Sequence, residues 1–161
     1  WTHTYADVGN TACSGDQLVH GSMDLQWFGQ PGPRRMIDRH HRNVPPLYKN
    51  GRCFIPGDCV VFVVDAYNGT ILWARDLAPG YMVHRSTVVA TPDTIYLGDD
   101  QSCKLIDPAT GSVTGEIIPP VEVVGGTYWK WMALEDGVLY ALVGEREALD
   151  KVARWRRTAG G

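Results

Sequence analysis

The chain has 161 residues, with 15 Lys and Arg against 18 Asp and Glu, a formal charge of −3. Hydrophobic residues at 44% and charged residues at 20% describe one globular domain or part of one, and exclude an intrinsically disordered chain. No apolar run approaches the ~18 residues a membrane helix needs.

Charge is unevenly distributed. Residues 1–33 carry three Asp and no Lys or Arg, residues 34–42 carry four Arg and one Asp, and residues 151–161 are wholly basic among their charges. The body between is acidic. A nucleic-acid-binding domain is usually basic overall with a continuous stripe. Two basic islands in an acidic body argue against a general polyanion surface, so no nucleic-acid partner is expected, while one small anion remains a suitable ligand. The chain starts at Trp1 with no basic and apolar leader, which predicts a processed chain or an excised fragment.

In chain order, the first distinctive element is the connection 29–44, which opens Gly-Gln-Pro-Gly-Pro and continues into a basic cluster. Arg34, Arg35, Arg39 and Arg42 present forked donors suited to carboxylate or phosphate. His40 and His41 titrate near neutral pH and complete the candidate ligand-binding set. Adjacent residues of an extended segment face opposite ways, so these two histidines are not expected to ligate one metal, and no metal site is predicted. The plainer reading is a solvated loop neutralised by the acidic body, with Asp38 pairing inside it.

Four short strands follow, at about 45–49, 52–56, 60–65 and 71–76, filled by β-branched and aromatic residues and punctuated by Gly, Asn, Asp and Pro. Sliding the sequence by 42 positions superposes this pattern on itself. Cys53-Phe54-Ile55 falls on Ile95-Tyr96-Leu97, and V-V-D-A-Y-N-G-T-I (63–71) falls on L-I-D-P-A-T-G-S-V (105–113). Asn68-Gly69 and Thr110-Gly111 supply the residue that accepts positive φ, so that each third strand returns as a fourth. A third copy begins at Trp131 with an offset near 44. The run Tyr128-Trp129-Lys130-Trp131 alternates so that Trp129 and Trp131 share a strand face, and it is read as core between repeats ahead of a stacking platform. Finally, Ala148, Leu149, Val152 and Trp155 recur at helical spacing with acids early and bases late, which predicts a helix over 145–157.

Cys13, Cys53, Cys59 and Cys103 form no C-x-x-C pair, which disfavours zinc and c-type haem. They allow three full disulfide pairings, including a bridge across a hairpin from Cys53 to Cys59. The preferred reading is buried thiols on strands, because Cys53 and Cys103 align with the aliphatic Ile95 and Val61.

Repeats of ~40–45 residues with four strands each have the pattern of a β-propeller blade. The segments 63–73 and 105–113 resemble the repeat of pyrroloquinoline-quinone-type (quinoprotein alcohol dehydrogenase-like) propellers. In that family an Asp opens the turn, a Gly closes it, and a Trp of the outer strand docks on the next blade. Trp73 fits the docking position, Gly115 occupies it in the next repeat, and Leu25-Gln26-Trp27 is expected as the outer strand of an earlier blade. The stretch 27–42 also resembles a segment of some bacterial propellers of this class.

The expected fold is therefore all-β: a β-propeller of four-stranded antiparallel blades, incomplete in this chain, with one short C-terminal helix. The expected division is the end of one blade at 1–28, the basic loop at 29–44, blades at 45–86 and 87–130, the start of a further blade at 131–144, and a helical insertion at 145–161. Closed propellers use 4–8 blades, which predicts that the rest of a propeller, in a longer bacterial protein or in partner subunits, completes the ring. The expected role is a non-catalytic scaffold that binds a protein or a small anionic ligand and carries no cofactor. The resemblance offers an alternative: an alcohol dehydrogenase-type oxidoreductase holding pyrroloquinoline quinone with calcium. The adjacent-cysteine disulfide frequent in catalytic members is missing from the sequence, and Asp65 and Asp107 fall at structural turn positions. The resemblance also implies an extracytoplasmic, periplasmic or secreted, location.

Overall fold

A computed structural model describes residues 1–29, 35, 45–57, 59–77 and 86–146. The first sheet holds β1 (Leu47–Lys49), β2 (Arg52–Gly57), β3 (Val60–Asp65) and β4 (Ile71–Asp76), antiparallel and in chain order. The second repeats it with β5 (Val88–Ala90), β6 (Ile95–Gly98), β7 (Cys103–Ile106) and β8 (Val113–Ile117). A four-residue helix α1 (Val121–Val124) then leads to the paired strands β9 (Tyr128–Glu135) and β10 (Val138–Gly144). The expected strands thus form within one or two residues of their predicted bounds.

Turn chemistry explains the hairpins. Asn50-Gly51 and Asp136-Gly137 both have positive φ, and each joins strands whose flanking residues pair directly, Lys49 with Arg52 and Glu135 with Val138. Two left-handed residues in succession match the twist of the strands they connect, and Asn-Gly and Asp-Gly adopt that conformation most readily. Even the irregularities repeat. The register shifts between Val63 and Val64 in the first sheet and between Leu105 and Ile106 in the second, 42 residues later.

Apolar side chains gather between sheets. Leu47, Phe54, Val61 and Val63 of the first meet Val88, Ala90, Ile95, Leu97 and Ile106 of the second, with Trp73 packed at the edge. Val89 and Cys103 of the second meet Trp129 and Met132 of the third. Removing side chains such as Phe54 and Ile95 from water contributes about 2 kcal/mol each. The strands β1, β5 and β9 are successive neighbours across the sheets, whereas β4 and β8 lie outermost and are largely exposed. Sheets that share an inner line of strands and stack face to face are the blades of a propeller, and among the described residues no closed barrel forms.

Three expectations are corrected. Leu25-Gln26-Trp27 forms no strand, although Trp27 does dock on the first sheet. Trp129 and Trp131 do not share a face: pairing passes from Leu142–Trp131 to Val143–Trp129, so Lys130 is an extra residue that reverses the alternation. Trp129 therefore joins Met132 and Leu134 in the core, and Trp131 turns to the other side beside His3. Helix α1 stands where no helix is expected, because four residues carry no readable periodicity. The helix expected over 145–157 lies outside the described residues beyond Arg146.

No disulfide joins the four cysteines: Cys103 is buried, Cys53 and Cys59 are half-buried, and Cys13 is exposed. Cys13 thus departs from the buried-thiol reading. No helix among the described residues is long and apolar enough to cross a membrane.

Candidate functional site

Each sheet hands over to the next at one end of the strands, where β2, β6 and β10 finish and β1, β5 and β9 begin. Of the candidate ligand residues, only Arg35 lies among the described ones; Arg34, Arg39, His40, His41 and Arg42 lie outside them. Arg35 sits at this end. Its Nη2 donates to Asp76 Oδ1 at 2.9 Å, and its carbonyl lies so close to Gly57 that a Cβ there would stand 2.7 Å away. Both partners are exposed, so the pair is weakly stabilising. The main-chain contact, by contrast, requires glycine at 57.

A cleft of about 510 Å³ opens at the same end between the second and third sheets. Its walls are Asp100, Gly126, Thr127, Tyr128, Gly144, Glu145 and Arg146. Arg146 organises it: the guanidinium lies 4.9 Å over the Tyr128 ring, and Nη2 donates to Asp100 Oδ1 at 2.9 Å. Thr127 Oγ1 donates to the Asp100 carbonyl at 2.7 Å. Gly126 crosses the end of β10 so tightly that any side chain would strike the Gly144 carbonyl. A volume of this size holds a small ligand, and a guanidinium fixed by an aromatic face and a carboxylate is a rigid polar wall. Sequence reasoning singles out Tyr128 only as part of an aromatic run. Arg146 carries no local signal, since its partners stand 18 and 46 positions away.

The repeat aspartates do different work. Asp65 Oδ1 accepts the Tyr67 and Asn68 amides at 2.8 and 3.2 Å, and Asp107 Oδ1 accepts the Ala109 amide at 2.7 Å. In both turns the glycine amide returns to the aspartate carbonyl, Gly69 to Asp65 at 2.8 Å and Gly111 to Asp107 at 2.9 Å. The Ala109 amide holds the Asp107 carboxyl below its usual range, with Thr110 adding to the effect. Asp99 repeats the device between β6 and β7, accepting the Gln101 and Ser102 amides at 2.7 and 2.8 Å. Each carboxylate is an internal cap for its own turn. Among the described residues no three His, Cys, Asp or Glu side chains converge as a cation site.

No protein-family model and no curated protein matches the chain. Among solved structures it is similar to a europium-containing methanol dehydrogenase, with 20% identity and a TM-score of 0.41, over 50% of this chain and 16% of that one. It is also similar to BamB from Moraxella catarrhalis, with 16% identity and a TM-score of 0.49, over 68% of this chain and 37% of that one. The chain therefore spans well under half the length of either. Its own sheets, with their repeated register, turns and inner line of strands, make it a partial β-propeller.

Proposed function

We propose that this partial propeller is a non-catalytic binding scaffold of the pyrroloquinoline-quinone-like repeat type, in which residues 45–86 and 87–130 are successive blades of a larger bacterial, extracytoplasmic propeller. Its ligand is a protein segment or a small anion, with Arg34, Arg35, Arg39, His40, His41 and Arg42 as the contacts, of which Arg35 is the described one and lies at the end where the sheets hand over to one another. One observation carries the reading. The carboxylates at the repeat positions Asp65 and Asp107, and that of Asp99 between β6 and β7, are each taken up by the amides of their own turns. A carboxylate that accepts the amides of its own turn is already spent as a local cap. The arginines supply fixed positive charge and forked donors, chemistry that binds and orients an anion without transforming it.

A tryptophan-fluorescence titration with pyrroloquinoline quinone, with and without calcium, tests the reading, since Trp73 and Trp129 lie in the blade interfaces. A flat titration on folded protein is expected; saturable, calcium-dependent quenching would overturn the scaffold reading in favour of the oxidoreductase. The loop is tested separately by calorimetry with inorganic phosphate, which the chain should bind and an Arg39→Ala, His40→Ala chain should not. Equal binding by both would sink the loop assignment.

A further inference from the structure

Residues 1–4 run along the inner edges of all three sheets. The Tyr48 amide donates to the Trp1 carbonyl at 2.8 Å, the Ala90 amide to the Thr2 carbonyl at 3.0 Å, and the Leu134 amide to His3 Nε2 at 3.1 Å. Those three donors are equivalent by repeat: Tyr48 pairs across its hairpin with Cys53, Ala90 with Ile95, and Leu134 with Leu139. Trp1, Thr2 and His3 are thus met in succession by the same amide of successive sheets, before the chain turns at Thr4-Tyr5 with the Ala6 amide donating to the His3 carbonyl at 3.1 Å. A fourth contact follows, from the Ser86 amide to Thr4 Oγ1 at 2.9 Å. His3 and Thr4 are buried, at 8% and 2% exposure.

We propose that this row of amides is a docking track for a polypeptide that presents one residue to each sheet over three extended residues and then turns, a track that residues 1–3 hold in cis with Thr4 in the turn that follows. Strand edges with unpaired donors bind extended chains through main-chain hydrogen bonds. The first two contacts here are to carbonyls and so accept any sequence. The third needs a side-chain acceptor and the fourth a hydroxyl, which defines the partner: a segment with His, Asn or Gln followed by Ser or Thr.

His3 makes the cis occupant releasable. Its Nε2 accepts from Leu134 while Nδ1 faces Thr2 Oγ1 at 2.8 Å, so the ring is the neutral Nδ1–H tautomer. A second proton would place a donor against a donor. Burial pushes the imidazole below its usual value, and Asp7 on the same segment and Glu135 of β9 oppose this. The contact is therefore complete above about pH 6.5 and is lost as pH falls from there through the lowered value in the fold.

The test uses the whole chain, amide hydrogen exchange by NMR, and a labelled hexapeptide Trp-Thr-Gln-Thr-Tyr-Ala, in which glutamine replaces the titrating ring. At about pH 7.5 the Tyr48, Ala90 and Leu134 amides should be protected and the peptide should not bind. Once the His3 ring has protonated, as followed by its own chemical-shift titration, the three amides should exchange at least about tenfold faster than intrinsic rates explain, the peptide should bind and restore protection, and alanine at its third position should weaken binding about tenfold. A His3→Gln chain should stay protected at both pH values and exclude the peptide. Amides that remain protected in acid, amides that loosen without peptide binding, or a His3→Gln chain that loosens like the wild type would each overturn the track. If acid unfolds the chain, a His3→Ala, Thr4→Ala chain read at about pH 7.5 gives the same decision, with peptide binding supporting the track and its absence overturning it.

Discussion

The indole N–H of Trp73 donates to the Pro108 carbonyl at 2.9 Å, and its six-membered ring fills the space where a side chain on Gly111 would begin. Trp27 does the same one sheet earlier, donating to the Ala66 carbonyl at 3.1 Å and covering Gly69. Each docking unites a tryptophan of one unit with the Asp-x-x-x-Gly turn of the next, so the turn is both a local cap and an intersheet socket. Glycine is required there twice over, by φ near +75° and by the ring pressed against it.

Those two requirements separate experimentally. Gly51 has φ of +74° with nothing within 4 Å of where a Cβ would stand, whereas at Gly111, with the same φ, a Cβ would stand 2.7 Å from Trp73 Cε3. Gly51→Ala should cost about 1 kcal/mol, from the left-handed backbone alone. Gly111→Ala should cost about 3 kcal/mol, because the ring must shift as well. Urea midpoints at constant m-value measure both. Equal losses at the two sites would mean that the tryptophan contributes no packing at the turn.

Much of this architecture is legible because the repeat writes it twice. Asp65 and Asp107, Gly69 and Gly111, and the strands around them share spacing and therefore share geometry, so one copy corroborates the other. The docking of Trp73 is what the resemblance of residues 63–73 to the propeller repeat implies, and the structure places it so. The features that are not legible lack a period. Lys130 is one inserted residue, and it sends Trp129 and Trp131 to opposite faces. Residues 1–4 show neither alternation nor turn chemistry, and are held by amides 47 to 131 positions away. Arg146 is placed by Tyr128 and Asp100 through packing of whole sheets, which no local window contains.

Thiol chemistry should divide the cysteines by burial. Cys103 lies between the second and third sheets, where burial pushes its thiol up to about 12, and burial raises Cys53 as well. The thiolate is the reactive form, so Cys103 should resist alkylation at about pH 8 until the protein unfolds. Cys13, exposed on the N-terminal segment, should react first. Peptide mapping after brief iodoacetamide treatment orders the sites. Labelling of Cys103 at the rate of Cys13 in folded protein would contradict the buried placement.

Arg35 offers a contrast between a side chain and its backbone. The ion pair to Asp76 is exposed on both sides, at 45% and 80%, so Arg35→Ala should change stability by less than about 0.5 kcal/mol. Gly57→Ala should cost about 2 kcal/mol, since its Cβ would meet the Arg35 carbonyl at 2.7 Å and Val60 Cγ1 at 2.8 Å. Thermal melts of the two variants decide. A large loss for Arg35→Ala would show that the pair, and not the main-chain approach, fixes the loop at this end of the sheets.

The turn carboxylates tie the fold to acidity. Asp107 is held below the usual carboxylate range by the Ala109 amide first and by Thr110 after it. A group whose carboxyl is lowered in the fold stabilises the protein above its unfolded value, near about 3.9, and that contribution disappears as pH falls through the lowered folded value. Asp107→Asn keeps an oxygen for the Ala109 amide but removes the titration. Its stability should therefore fall less steeply than the wild type's between about pH 4 and pH 2, while Asp7 and Glu116, also lowered, preserve the remainder of the slope. Parallel urea titrations across that range provide the comparison. Superimposable slopes for the two proteins would mean that the Asp107 carboxylate does not hold its turn through its charge.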